Sequence, residues 1–303
     1  MRCDTLIVDG RHALWRTSDA FKTLAAEVGE EMIGTGGMYG FLCLMIRIHQ
    51  RYGGQVVVAW EGLTNFRKDL YPLYKDKSHL PPEQLLIIED MRDQEKRLKS
   101  MLRAMGVEQY YGVNCEADDV IGRLSKERSA NGEFVIIYSG DSDLRQLVTD
   151  NVYTSSPGFR GASDTVYDKH KVQERHKVVP GMIADLKALS GDTSDNIPGL
   201  KGIGDVTAAK LINRYGAVEN VVTGAEEDVH HWPVAERFRK LVLENIGEIR
   251  LYKKLTKIRV KMPMKLIALK KSKETLVRHF GIYHFNSLLG ASDMFELMTM
   301  DEK

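Results

Sequence analysis

Three short apolar runs in the first half of the chain, at residues 5–8, 55–59 and 134–138, each lead directly into acid. Asp9 closes the first run, Glu61 follows the second, and Asp141 and Asp143 follow the third within YSGDSD. Runs this short, apolar at nearly every position, read as parallel strands buried on both faces. Between them a helical period runs over residues 38–52, 83–105 and 117–129. Strand alternating with helix defines an α/β sheet with helices on both faces. The strand-end acids then fall along one edge of that sheet, outside the carboxyl ends of the strands, where such folds bind their ligands.

Glu116, Asp118 and Asp119 in CEADDVIG open a helix. Acids there are ordinary taken singly, because they cap free N–H groups and complement the helix dipole. A lone Asp at a strand end is likewise most often a turn residue. Their convergence with the strand-end acids argues for function. So many carboxylates in one crevice repel one another and resist ionisation unless cations compensate. Hard oxygen donors select Mg²⁺ or Mn²⁺ over zinc. Mg²⁺ takes few protein ligands per ion, so a cluster of this size implies two or more ions and a phosphate substrate. Two ions roughly 3.5–4 Å apart activate a water and stabilise the leaving oxygen in phosphodiester hydrolysis.

From about Val179 the pattern changes to helices punctuated by glycine, with no further convincing buried strand. Gly191-Asp192-Thr-Ser-Asp195-Asn-Ile-Pro198 supplies two more acids and runs directly into GLKGIG. Glycines at alternate positions let backbone N–H groups approach a phosphate at the following helix N-terminus, which holds a nucleic-acid backbone without reading its sequence. A plain helix–helix connection is the competing reading of that turn. It is neither a P-loop nor a dinucleotide fingerprint, because GxxxxGK[ST] is absent and no strand precedes it.

The chain has 303 residues, 43 Lys+Arg against 42 Asp+Glu, and a net charge of +1. Balance this close does not by itself announce a polyanion partner, but acids bound to metal would leave the remaining surface more basic. Cys3, Cys43 and Cys115 lack zinc spacing and read as reduced core thiols of a cytoplasmic protein. Neither an export leader nor a membrane anchor is expected. The expected organisation is a catalytic domain at 1–178 and a smaller helical domain at 179–303, with a basic stretch at 237–273. Residues 63–82, which mix bases, aromatics and prolines, are expected to form a mobile or substrate-ordered loop. Trp15, Trp60 and Trp232 are expected to pack rather than to stack on bases.

With these segments in order, the chain resembles the 5′-nuclease superfamily, specifically the bacteriophage flap endonucleases and the 5′-nuclease domain of bacterial DNA polymerase I. The resemblance rests on LIVDG, FRKDLYPLYK, CEADDVIG, SGDSDLRQLVT and GDTSDNIPGLKGIGDVTAAKL, and covers about residues 4 to 220. With no polymerase domain following, the stand-alone phage type is the expected form. The resemblance implies a PIN-like parallel-sheet nuclease core with a helical arch at about 64–84, plus a smaller helical domain of the helix-hairpin-helix (H3TH) type. It implies that Asp9, Glu116, Asp118, Asp119, Asp141, Asp143, Asp192 and Asp195 serve the metal ions. Glu61, which stands where the family usually has Asp, is expected to serve the metal ions with them, directly or through water.

By the same resemblance, Lys75 is the active-site lysine that neutralises the scissile phosphate, and Arg67 is an arch-base arginine. Tyr74, Lys77, Arg16 and Lys187 are implied DNA contacts. Ser78 stands where the family often has Arg. Lys201, Gly202, Ile203 and Gly204 form the turn that in the family holds duplex and a K⁺ ion. The implied substrates are DNA (5′ flaps, nicked or branched duplex) and RNA/DNA hybrids. The implied setting is replication or repair in the cytoplasm of a bacterial or phage-infected cell, as a monomer working with replication proteins. A PIN-type ribonuclease would share the acidic core but would not need GDTSDNIPGLKGIG. A non-catalytic structure-specific DNA-binding protein would keep the turn and the bases but not the acids. An Asp-nucleophile phosphatase would place DxD where this chain has VDGRH.

Overall fold

A computed structural model describes residues 1–76, 78, 80–158 and 162–290. In chain order it begins with β1 (Thr5–Asp9), α1 (Gly10–Ala20), β2 (Ala25–Val28), β3 (Glu31–Gly34), α2 (Gly36–Tyr52) and β4 (Gln55–Trp60). There follow α3 (Phe66–Leu70), α4 (Pro82–Met105), β5 (Glu108–Gly112), α5 (Ala117–Ala130) and β6 (Val135–Tyr138). A second stretch comprises β7 (Val152–Ser156), β8 (Thr165–Tyr167), α6 (Lys169–His176), α7 (Ile183–Ser190), α8 (Asp205–Tyr215) and α9 (Val218–Glu227). The chain closes with α10 (Glu236–Glu244), α11 (Ile246–Thr256), β9 (Met264–Leu266) and α12 (Lys273–Ile282).

Two compact units share these elements. One holds Met1–Leu63, Leu80–Gly140 and the chain from Val260; the other holds Thr64–His79 and Asp141–Arg259. In the first, β1 lies between β4 and β6, parallel to both, and β4 pairs in parallel with β5. β9 adds an antiparallel edge to β5. Leu6, Ile7, Val8, Val57, Val58, Ile136 and Ile137 are fully buried, as the continuous apolar runs require of central parallel strands. The register sets Asp9 level with Ala59 and Val8 level with Tyr138, so the strands end together.

Helices begin and end where local chemistry dictates. Asp9 caps α1 by accepting from the His12 N–H at 3.1 Å. Gly10 is required there because a Cβ would come within 2.5 Å of the Trp60 ring, so α1 starts tight against β4. Pro82 opens α4, and Gly106 ends it at φ 82° in the left-handed region. A capping box of Glu116 and Asp119 opens α5.

The second unit is mainly helical around Leu189, Leu211, Val221, Val242, Ile249 and Leu255, with β7 and β8 pairing antiparallel. The segment expected as a loop at 63–82 carries the short helix α3 and, among its described residues, buries Arg67 and Tyr74, at 2% and 1% exposure. Strands β5, β7, β8 and β9 and the β2–β3 hairpin are additions to the sequence reading. Among the described residues no helix is long and apolar enough to cross a membrane.

Candidate metal centre and its basic neighbours

The second unit brings one set of the expected acids together. Ligand oxygens of Asp143, Asp192 and Asp195 all lie within 4.8 Å of one another. The local chain explains why. Asp192 and Ile197 exchange backbone hydrogen bonds of 2.7 and 2.8 Å, closing GDTSDNI into a loop. Asp192 caps the 3₁₀ turn Thr193–Asp195 by accepting from the Ser194 N–H at 2.9 Å. Asn196 then turns the chain at φ 57°. Asp141 accepts the Asp143 N–H at 2.8 Å, which fixes the second acid of GDSD relative to the first.

Cations and one phenol hold this triad. Lys187 donates to Asp143 and, at 2.5 Å, to Asp192. Burial would push the Asp192 carboxyl up, but hydrogen bonds from Lys187 and Ser194 outweigh it, so the group is held below the usual carboxylate range. The Tyr74 hydroxyl donates to Asp195 at 2.8 Å, and the Lys75 ammonium lies 3.7 Å from the other Asp195 oxygen. Lys75 sits at φ 47°, an uncommon conformation for a residue other than glycine, and its N–H donates to the Asp195 carbonyl at 3.2 Å. All the ligand atoms in the triad are hard oxygens, so the donor set fits a divalent cation of the Mg²⁺ or Mn²⁺ kind.

In the first unit Asp9, Glu116 and Asp119 are buried and Asp118 is half-buried. Asp9 accepts the Ser139 hydroxyl at 3.0 Å as well as the His12 N–H. The Glu116 N–H donates to Asp119 at 3.2 Å. Glu61 follows β4 as expected, and its carboxylate meets the guanidinium of Arg11. Arg11 was not singled out by the sequence.

The arch-base arginine and one expected DNA contact are engaged within the protein. Arg67 is buried, with Nε donating to the Leu255 carbonyl at 2.7 Å and Nη2 to the Lys257 carbonyl at 3.0 Å. It ties α3 to the end of α11. Tyr74 likewise points inward, to Asp195. Trp15, expected to pack, is half exposed on α1, whereas Trp60 is buried. Arg16 and Lys201 are exposed, and Lys77 lies outside the described residues. Gly202 holds φ 88°, Gly204 precedes α8, and the buried Ile203 donates its N–H to the Leu200 carbonyl at 2.9 Å.

The first unit thus carries acids at the ends of an α/β sheet, and the second gathers carboxylates beside lysines. The chain belongs to the 5′-3′ exonuclease family: the family model for the N-terminal resolvase-like domain matches residues 4–177, and that for the C-terminal SAM fold matches residues 178–275. It is 33% identical over 233 residues to the 5′-3′ exonuclease of Aquifex aeolicus (strain VF5), covering 76% of each chain. It is also 33% identical over 270 residues to DNA polymerase I of Bacillus caldotenax, covering 88% of this chain and 29% of that one. The chain thus spans less than a third of that polymerase. Among solved structures, T5 5′-exonuclease with zinc bound aligns at a TM-score of 0.66 and 18% identity, over 97% of this chain and 96% of that one. The catalytic core of Rad2 in complex with DNA substrate aligns at 0.58 and 14%, over 98% and 93%. At these identities the two structures show a shared fold.

Proposed function

We infer that this chain is a metal-dependent, structure-specific 5′ nuclease that hydrolyses phosphodiester bonds of DNA, and of RNA in RNA/DNA hybrids, near junctions of single strand and duplex. The observation that carries the reading is the Asp143–Asp192–Asp195 triad with Tyr74, Lys75 and Lys187 attached to it. Mg²⁺ is the proposed ion, with Mn²⁺ as a substitute. Asp141 joins that triad as a proposed metal carboxylate, and Asp9, Glu116, Asp118 and Asp119 are the proposed metal carboxylates of the first unit. Bound divalent ions of this kind lower the pKa of a water and offset charge growing on phosphate oxygens.

The chain's own residues then have distinct tasks. Lys75 neutralises the scissile phosphate, and its strained backbone is fixed against the Asp195 carbonyl. Tyr74 orients the Asp195 carboxylate. Lys187 offsets the charge of Asp143 and Asp192 and turns toward the incoming phosphate. Water adds to phosphorus as the bond to the 3′ oxygen breaks, leaving a 5′-phosphate. The turn Lys201–Gly204 grips the duplex backbone and would hold a K⁺ ion, and Arg16, Lys77 and Lys201 add phosphate contacts. The division at 178/179 is proposed as the boundary between the catalytic and duplex-binding domains, with the arch at about 64–84. The proposed setting is the cytoplasm, during replication or repair.

A 5′-flap duplex incubated with the chain in Mg²⁺ should yield a product bearing a 5′-phosphate, and excess chelator should stop the reaction. An intact flap at every Mg²⁺ or Mn²⁺ concentration would reject the reading.

A further inference from the structure

Arg11 stands two residues beyond Asp9, in the first turn of α1, and is held from two sides. Its Nε donates to Glu95 on α4 at 3.1 Å, and its Nη1 donates to Glu61 at the end of β4. Glu95 is buried and also receives the Lys99 ammonium at 2.5 Å, which in turn lies 4.6 Å from the Trp60 ring. Burial would push the Glu95 carboxyl up, yet Arg11 and Lys99 hold it below its usual range, so it remains a charged anchor. The guanidinium of Arg11 is therefore fixed in plane while its side chain is 40% exposed. Among the described residues its Nη2 has no partner.

A planar guanidinium with two nitrogens fixed by carboxylates and a third left to donate, on a side chain 40% exposed, is pre-organised for an anion with paired oxygens. Orienting it costs the ligand little, because the rotamer is already chosen. The anion that suits it beside Asp9 is a phosphodiester of the substrate strand. Glu61, one methylene longer than the aspartate it replaces in the family pattern, reaches that guanidinium and is engaged by it. We propose that Arg11 is a substrate phosphate ligand and that Glu61, with Glu95, is its positioning residue rather than a ligand of the divalent ion. The inference rests on the nuclease reading above.

The test is binding of a fluorescent 5′-flap duplex to the full chain in chelator, where no cleavage occurs, across a salt series. Arg11→Ala should weaken binding about tenfold, and should flatten the slope of log affinity against log salt by about 0.7–0.9, the value for one lost phosphate contact. Arg11→Lys keeps a cation between Glu61 and Glu95, so it should fold even if Arg11→Ala does not. Without Nη2 it should still bind more weakly than the native chain at equal salt. Glu61→Gln should lower DNA affinity in the same direction, while Mg²⁺ affinity measured by calorimetry without DNA stays unchanged. Native affinity in both folded Arg11 variants would overturn the proposal, as would a several-fold loss of Mg²⁺ affinity in Glu61→Gln. A native chain that fails to bind the flap at all overturns the nuclease reading with it. Native binding with unaltered Arg11 variants overturns this proposal alone.

Discussion

Lys75 combines three features that rarely coincide: a left-handed backbone, a main-chain hydrogen bond to the loop carrying Asp195, and an ammonium 3.7 Å from that carboxylate. The backbone holds the charge in place whether or not a substrate is present, which is how a donor lowers a barrier without reorganising. Lys75→Ala should therefore cost about 2–4 kcal/mol of transition-state stabilisation. Single-turnover cleavage under saturating enzyme measures it, and an unchanged rate would remove Lys75 from the reaction. The motif reading singled out this lysine and the acids because each lies in a contiguous segment whose residue types suit the proposed chemistry. It named Arg67 but not its role as a tie, because the carbonyl acceptors are 188 and 190 residues away. It passed over Arg11 for the same reason, since its carboxylate partners lie 50 and 84 residues along the chain. Pairings across that separation leave no local pattern.

At the scale of elements, what could be read was whatever both faces of an element agreed on. β1, β4 and β6 emerge within a residue or two of their expected bounds because nearly every position is apolar and buried, and α4 and α5 because their period and caps coincide. β5 and β9 escaped because their sequences, EQYYG and MKL, lie at the sheet's margin and are only partly buried. The glycine turn before α8 gives a clean test of its role. A Cβ on Gly204 meets nothing within 4 Å and φ there is −90°, so Gly204→Ala should cost well under ~1 kcal/mol of stability. Weakened duplex binding at a near-native melting temperature would then report close approach of a phosphate. Gly202→Ala, at φ 88°, should instead lose about 1–2 kcal/mol, read by denaturant titration. The last turn of α6 makes a pH prediction. Burial, then the charges of Arg145 and Arg175, push His176 down to about 4 from 6.5. Between those values the unfolded chain binds the proton and the folded chain does not, so this contribution to stability is complete above pH 6.5 and is lost as pH falls toward 4. His176→Gln should flatten melting temperature against pH in that window, and an unaltered slope would show that His176 does not cause it.

Across the whole molecule, 43 basic residues face 42 acidic ones, a near balance that conceals how unevenly the charge is placed. Carboxylates gathered as closely as Asp143, Asp192 and Asp195 repel one another, and in the metal-free chain Lys187 and Lys75 offset only part of that charge. A divalent ion that binds the folded chain alone must stabilise it by mass action, by about 2.7 kcal/mol at a concentration one hundred times its dissociation constant. Mg²⁺ should accordingly raise the melting temperature by several degrees, and chelator should reverse the rise. Asp141→Asn separates charge from shape in this test. Its remaining carbonyl oxygen can still accept the Asp143 N–H, which the native side chain accepts at 2.8 Å, so the loop keeps its form while one negative charge is lost. The metal-free variant should therefore melt no lower than the native chain, while its Mg²⁺-induced rise shrinks and cleavage is abolished with DNA binding retained. A rise of native size in Asp141→Asn would show that this carboxylate does not serve the ion. No rise in the native chain would show that the acids are balanced by the lysines alone.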